Sequence, residues 1–109
     1  MKRAARIVAA AAALSGAATF AGAQDAAALR ARSLVATCAA CHGTDGHAMP
    51  SAAVPGLSGM PAAYIVEQMK AFRSGARAGT VMPQLAKGYS DAQIEQLAAT
   101  LAKAGAAQP

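Results

Sequence analysis

The sequence predicts an all-α domain built on three main helices. Two segments carry apolar residues at spacings of three and four, Ile65/Met69/Phe72 and Ile94/Leu97/Ala98/Leu101, the period of an amphipathic helix. A third segment, from Ala26 to about Ala40, is dominated by Ala, the strongest helix former. Around Cys38 and Cys41 no strand-like alternation of polar and apolar residues interrupts it.

The elements follow in order. Lys2, Arg3 and Arg6 precede an apolar, Ala-rich run from Ile7 to Phe20, and Ala21-Gly22-Ala23 supplies small residues for cleavage. This pattern predicts a secretory signal peptide over 1–23 and a mature domain over 24–109. The apolar run is shorter than the roughly 20 residues that a membrane span needs, so no membrane attachment is expected after cleavage. Export also places the mature chain in an oxidising compartment, the periplasm of a bacterium.

The first helix is expected from Ala26 to about Ala40, with Asp25 as N-cap and Gly43 as its stop. Residues 43–59 read as a loop, because Gly43, Asp45, Gly46, Pro50, Pro55, Gly56 and Gly59 break any period. A loop this long in a small domain implies something that organises it. A second helix is expected over Pro61–Ser74, with Pro61 in its first turn and Glu67, Lys70 and Arg73 off the apolar stripe. A second loop, Gly75 to Gly88, carries Val81-Met82-Pro83. Ser90 then caps the last helix, Asp91 favours its first turn, and Gln93 is placed to complete a capping box. Gly105 is expected to end it.

The chemistry is concentrated in Cys38-Ala39-Ala40-Cys41-His42. A Cys-x-x-Cys-His run is the attachment signature of c-type haem. Each thiol adds across one vinyl group, and the two-residue gap lets both sulfurs reach the same porphyrin edge from one helical turn. His42 then projects toward the iron. A redox dithiol would want a βαβ context, which is missing. A structural zinc site would need four ligands, and Cys38, Cys41, His42 and His47 are the only Cys and His residues, crowded within ten positions. A disulfide would leave His42 without a role. One motif implies one haem, and the readings that use all three residues converge on electron transfer.

Size and composition agree. A domain over 24–109 buries a limited core, and Tyr64, Phe72 and Tyr89 are its only aromatic residues. A covalently held porphyrin would supply the missing apolar mass, so the haem-free chain is expected to be largely unfolded. The formal net charge of +5 falls to about +2 once Lys2, Arg3 and Arg6 leave, and two propionates bring it near neutral. Nucleic-acid binding is excluded on this count, since a basic stripe is its footprint. Lys70, Arg73, Arg77 and Lys87 still cluster. They read as a solvated helix end or as a weak docking patch for an acidic redox partner.

The second axial position decides between electron transfer and ligand chemistry. A Met thioether would close it and raise the reduction potential; an open or labile position would suit a peroxidase-like or gas-binding protein. The candidates are Met49, Met60, Met69 and Met82. Met49 lies seven residues from His42, a span of at most about 25 Å that leaves little slack to round the ring. Met69 belongs to the helix stripe. Met82 lies in a loop with ample reach, stiffened by Pro83, and is the expected ligand, with Met60 next. His47 is too near His42 to cross the ring and reads as a solvated loop histidine.

Taken together, Cys38–His42, Pro55-Gly56-Leu57-Ser58-Gly59 and Val81-Met82-Pro83 resemble a class I cytochrome c over nearly the whole mature chain. The resemblance implies three helices around one covalently bound haem c, iron held by His42 and Met82, and a Pro55 carbonyl that takes the hydrogen bond of the proximal imidazole. Relatives often carry an aromatic in the last helix where this chain has Thr100, which implies a looser helix crossing. A narrower resemblance rests on Tyr64 to Gly75, Met82 and Ala86-Lys87-Gly88-Tyr89-Ser90. That pattern is similar to cytochrome c4-like and c553-like carriers and to the cytochrome subunit of flavocytochrome c sulfide dehydrogenase. Many of those subunits carry two haems; this chain has one attachment motif. The second likeness implies a redox partner, a flavoprotein that oxidises sulfide and passes electrons singly to this haem, with no catalytic residue in this chain itself.

Overall fold

The computed structural model describes residues 22–107, so all of the expected signal peptide but its last two positions lies outside the described residues. The chain divides into two units, Met1–Arg30 and Ala31–Pro109. In the first, residues 22–30 are helical and exposed, and Asp25 sits among them rather than capping their start.

The second unit carries everything that follows. Among the described residues it contains helices and turns and no strand. Its elements are α1 (residues 31–36), α2 (Ala39–His42), α3 (Ala62–Ser74), α4 (Met82–Ala86) and α5 (Asp91–Ala104), with 3-10 turns at Thr44–Gly46 and Gly105–Ala107. The expected all-α class and the two long helices are as the periodicity demands.

Two expectations need correction. The helix expected to run to Ala40 breaks at Thr37-Cys38 before α2 resumes. Thr37 Oγ1 donates to the Leu34 carbonyl at 2.7 Å, and Thr37 and Cys38 N–H reach back only three residues, to Leu34 and Val35 at 3.3 and 3.0 Å. A hydroxyl that captures a helix carbonyl tightens and ends the turn. The span Gly75 to Gly88, expected as loop throughout, contains α4. Pro83 lies at the start of α4, where its fixed φ and missing N–H cost nothing.

The predicted caps are largely where the sequence put them. Ser90 Oγ accepts from Gln93 N–H at 3.2 Å, and Gln93 Oε1 accepts from Ser90 N–H at 2.9 Å, a complete capping box. Pro61 sits one position earlier than expected, as the N-cap of α3. Gly75 closes α3 in the left-handed conformation.

The core is small. Val35, Ile65, Met69, Ala86, Ile94, Leu97, Ala98 and Leu101 are buried, so both predicted stripes face inward. Leu34, Leu57, Met60, Phe72, Met82 and Tyr89 pack around them, partly buried. α3 packs on α4 and α5, and α5 also meets the Thr44–Gly46 turn. The end of α5 is seated by glycine against glycine. Gly59 N–H donates to the Leu101 carbonyl at 3.0 Å, and a Cβ added to Gly105 would lie 2.4 Å from Gly59 Cα. Gly105 has a helical φ of −65°, so close approach rather than backbone freedom is what requires glycine there. Thr100, the departure from the aromatic of the resembling family, is partly buried and bonds the Gln96 carbonyl within its own helix at 2.8 Å.

Candidate cofactor site

Cys38 is the N-cap of α2 and Cys41 lies within its single turn. Both are free thiols, Cys38 half-buried and Cys41 exposed. His42 ends that turn with its N–H on the Cys38 carbonyl at 2.9 Å. The chain must then leave the helix and reverse, which Gly43 allows at φ 85°, ψ 160°. A Cβ there would meet the His47 carbonyl oxygen at 2.0 Å, so the position has no room for a side chain.

The reversal brings the second half of the site into place. His42 is buried, and its Nδ1–H donates to the Pro55 carbonyl at 2.6 Å. The Pro55 segment is itself anchored: the Gly46 carbonyl accepts from both Leu57 and Ser58 N–H, at 2.8 and 3.1 Å. With Nδ1 taken by this bond, Nε2 is the nitrogen that could ligate a metal. The partnership also fixes the ring plane.

His47, the other histidine, is differently placed from a solvated loop residue. It is half-buried, its Nδ1–H directed to the Thr44 carbonyl at 3.3 Å and its Nε2 accepting from Ser58 Oγ at 2.9 Å. Both ring nitrogens serve the loop, which leaves His42 as the imidazole that could ligate a metal. Among the described residues no group of three or more His, Cys, Asp and Glu is arranged to hold a metal ion.

The four methionines separate by environment. Met49 is 74% exposed, and Met69 is buried in the core. Met60 and Met82 are partly buried against the core edge. Met82 shares no hydrogen bond with the Cys38–Pro55 group; it opens α4, whose chain continues to Tyr89. Tyr89 OH meets Thr37 Oγ1 at 2.6 Å, across 52 residues of sequence. Nothing in the sequence pattern marked Thr37, and the Gly46 carbonyl that anchors Pro55 leaves no side-chain signal to read.

The basic cluster is mostly spoken for. Arg73 pairs with Asp91 and donates to the Tyr89 carbonyl at 3.2 Å, and Lys70 lies 3.8 Å from Asp91. Arg77 stacks 4.6 Å over the Phe72 ring and donates to Gln68 Oε1 at 2.6 Å. The Arg73 hydrogen bond, reinforced by the charges of Arg73 and Lys70, holds the Asp91 carboxyl below its ordinary range. Arg73 and Lys70 tie α3 to the start of α5, and Arg77 folds back on α3, which favours the helix-end reading over a docking patch.

Two thiols on one turn, an imidazole anchored through Nδ1 and a small apolar core beside them could supply the donor set that haem c requires. The all-α fold and this donor set fit the class of c-type cytochromes. Residues 23–99 match the family described as cytochrome C oxidase, cbb3-type, subunit III. The chain belongs to this family of cytochrome c domains and is a class I c-type cytochrome, a family that carries haem c with its iron.

Relatives extend the picture. The chain is 44% identical over 64 residues to a thiosulfate dehydrogenase electron acceptor of Stutzerimonas stutzeri, a match covering 59% of this chain and 30% of that protein. It is 41% identical over 68 residues to cytochrome c-554(548) of Halomonas halodenitrificans, covering 60% of this chain and 81% of the relative. It is 40% identical over 62 residues to the cytochrome subunit of sulfide dehydrogenase of Chlorobaculum tepidum, covering 57% and 54%. The chain spans about a third of the length of the thiosulfate dehydrogenase electron acceptors it matches.

Proposed function

We propose that this protein is exported to the periplasm through the signal peptide over 1–23 and works there as a monohaem carrier with His42/Met82 ligation. Cys38 and Cys41 form the two thioethers. The single observation that carries this reading is the buried His42 ring, anchored through Nδ1 on Pro55, one residue from the exposed thiol of Cys41. When bound, the haem iron supplies one-electron exchange between its ferric and ferrous forms. The protein sets the potential through burial, the methionine sulfur and the basicity that the Pro55 carbonyl confers on His42.

Met82 is favoured over Met60 by how the chain is tied. Leu57 and Ser58 N–H bond Gly46, Gly59 N–H bonds Leu101, and Met60 N–H bonds Leu57 at 3.2 Å. The segment leading into Met60 is therefore tied at Gly46, four residues after His42, and at α5. Met82 lies on a separate arm. A Met82→Ala variant of the ferric holoprotein is expected to lose the weak far-red band of methionine-sulfur ligation and to bind cyanide quickly. Retention of the band would reassign the ligand to Met60. A wild type that lacks the band would favour an open or labile position and the gas-binding or peroxidase-like alternative.

The donor is a dehydrogenase of reduced sulfur compounds. Both thiosulfate and sulfide dehydrogenase partners occur among the relatives. The Ala86-Lys87-Gly88-Tyr89-Ser90 run leads us to the flavoprotein type that oxidises sulfide. Haem reduction on mixing with sulfide and such a flavoprotein is the expected result. Reduction only with thiosulfate and a thiosulfate dehydrogenase would change the donor and leave the carrier role intact.

A further inference from the structure

We propose that Tyr89 is a positioning residue: its hydroxyl clasps the Met82-bearing arm to the turn that carries Cys38, and this clasp sets how readily the axial methionine leaves. The inference rests on the Met82 reading above.

The geometry is directional. The Thr37 hydroxyl spends its proton on the Leu34 carbonyl at 2.7 Å, so at the 2.6 Å contact the phenol of Tyr89 donates and Thr37 Oγ1 accepts. Thr37 sits in the break between α1 and α2, immediately before Cys38, with Oγ1 3.9 Å from Cys38 Sγ. A displacement of Thr37 therefore moves the backbone that bears the first thiol.

Tyr89 is fixed at its other end as well. Its N–H bonds the Ala86 carbonyl at 3.3 Å, which continues α4 into the tyrosine. Its carbonyl accepts from Arg73 at 3.2 Å, and Arg73 is braced by Asp91. Its ring packs on the core. The result is a rigid path from Met82 through α4 to Tyr89, and from its hydroxyl to the attachment turn. Upstream of Met82, residues 74–81 are all exposed, and their tie is back to α3 through the Arg77 N–H on the Ala71 carbonyl at 3.1 Å rather than to the attachment turn. The arm is held by its packing on α3 and the core, by the Arg73 bond to the Tyr89 carbonyl and by this hydroxyl pair, the one of these that reaches the attachment turn.

An iron–sulfur bond to methionine opens when the arm swings back. Loss of one neutral hydrogen bond that resists this motion should raise the open fraction roughly threefold to tenfold. The test uses ferric holoprotein at saturating cyanide, where opening limits the rate of ligand exchange. Tyr89→Phe and Thr37→Val are expected to bind cyanide threefold to tenfold faster than wild type. Thr37→Ser, which keeps the hydroxyl, is expected to match wild type. The double variant Tyr89→Phe/Thr37→Val is expected to be no faster than the quicker single, because both remove the same bond.

A wild type showing the methionine band, with Tyr89→Phe exchanging at the wild-type rate, would overturn the clasp and leave the Met82 assignment standing. Additive accelerations in the double variant would also overturn it. A wild type without the band would instead bring down the ligand assignment on which the clasp rests. Thr37→Val and Tyr89→Phe alter different elements, so a folding defect in one leaves the other to decide.

Discussion

Replacing Gly105 by Ala should destabilise the protein, although local rules say the opposite. Gly105 has helical dihedrals, φ −65° and ψ −27°, at the end of α5. At such a site Gly→Ala ordinarily stabilises by about 0.4–1 kcal/mol, because the unfolded chain loses freedom. Here the new methyl would lie 2.4 Å from Gly59 Cα, 2.8 Å from Gly59 N and 3.4 Å from the Ser58 carbonyl carbon. All three are backbone atoms, and Gly59 is held by its N–H on the Leu101 carbonyl. Relief requires the end of α5 to lift, an overpacking cost of about 1–3 kcal/mol. The net is a loss of roughly 1–2 kcal/mol, because the propensity gain offsets part of that cost. In a domain this size that lowers Tm by roughly 5–15 °C. Thermal melts of holoprotein followed by far-UV circular dichroism read the sign directly. A Tm raised above wild type would refute the glycine-to-glycine seat of α5.

Two further outcomes follow from the same structure. A Cys38→Ala/Cys41→Ala variant should lose most of its helical circular dichroism, since among the described residues only six buried apolar side chains larger than Ala hold the second unit together; native-like helicity would show that the core suffices without haem. Asp91 has a folded pKa below its ordinary 3.8, so its pairing with Arg73 and Lys70 stabilises the fold above that pH and is lost as pH falls through the lowered value. Asp91→Asn should therefore be less stable than wild type at neutral pH, with the gap closing in acid; a gap independent of pH would mean the carboxylate charge plays no part.

Side-chain patterns made much of this architecture legible, and backbone contacts hid the rest. The stripes of α3 and α5 appear as predicted because periodic apolar residues have one way to be buried together. The Ser90/Gln93 box was readable because both of its hydrogen bonds are local. The break at Thr37 was not, since a single Ala-rich run gives no sign that a threonine hydroxyl will take the Leu34 carbonyl. α4 was missed because five residues after an exposed, glycine-bearing loop are too few for a period. The first half of the site, Cys38 to His42, is a contiguous motif and could be read from chemistry alone. Pro55 came only through the family resemblance, because a carbonyl acceptor can belong to any residue. The Thr37–Tyr89 pair joins positions 52 apart and leaves no mark in one sequence.

The central claim is that one haem is bonded through Cys38 and Cys41 with His42 beneath it. Intact mass of denatured protein, produced with haem-attachment machinery and followed by peptide mapping, tests it most directly. The account predicts a mature chain carrying one haem that survives denaturation, located on the peptide containing Cys38 and Cys41. A colourless product with the mass of the bare polypeptide would contradict it.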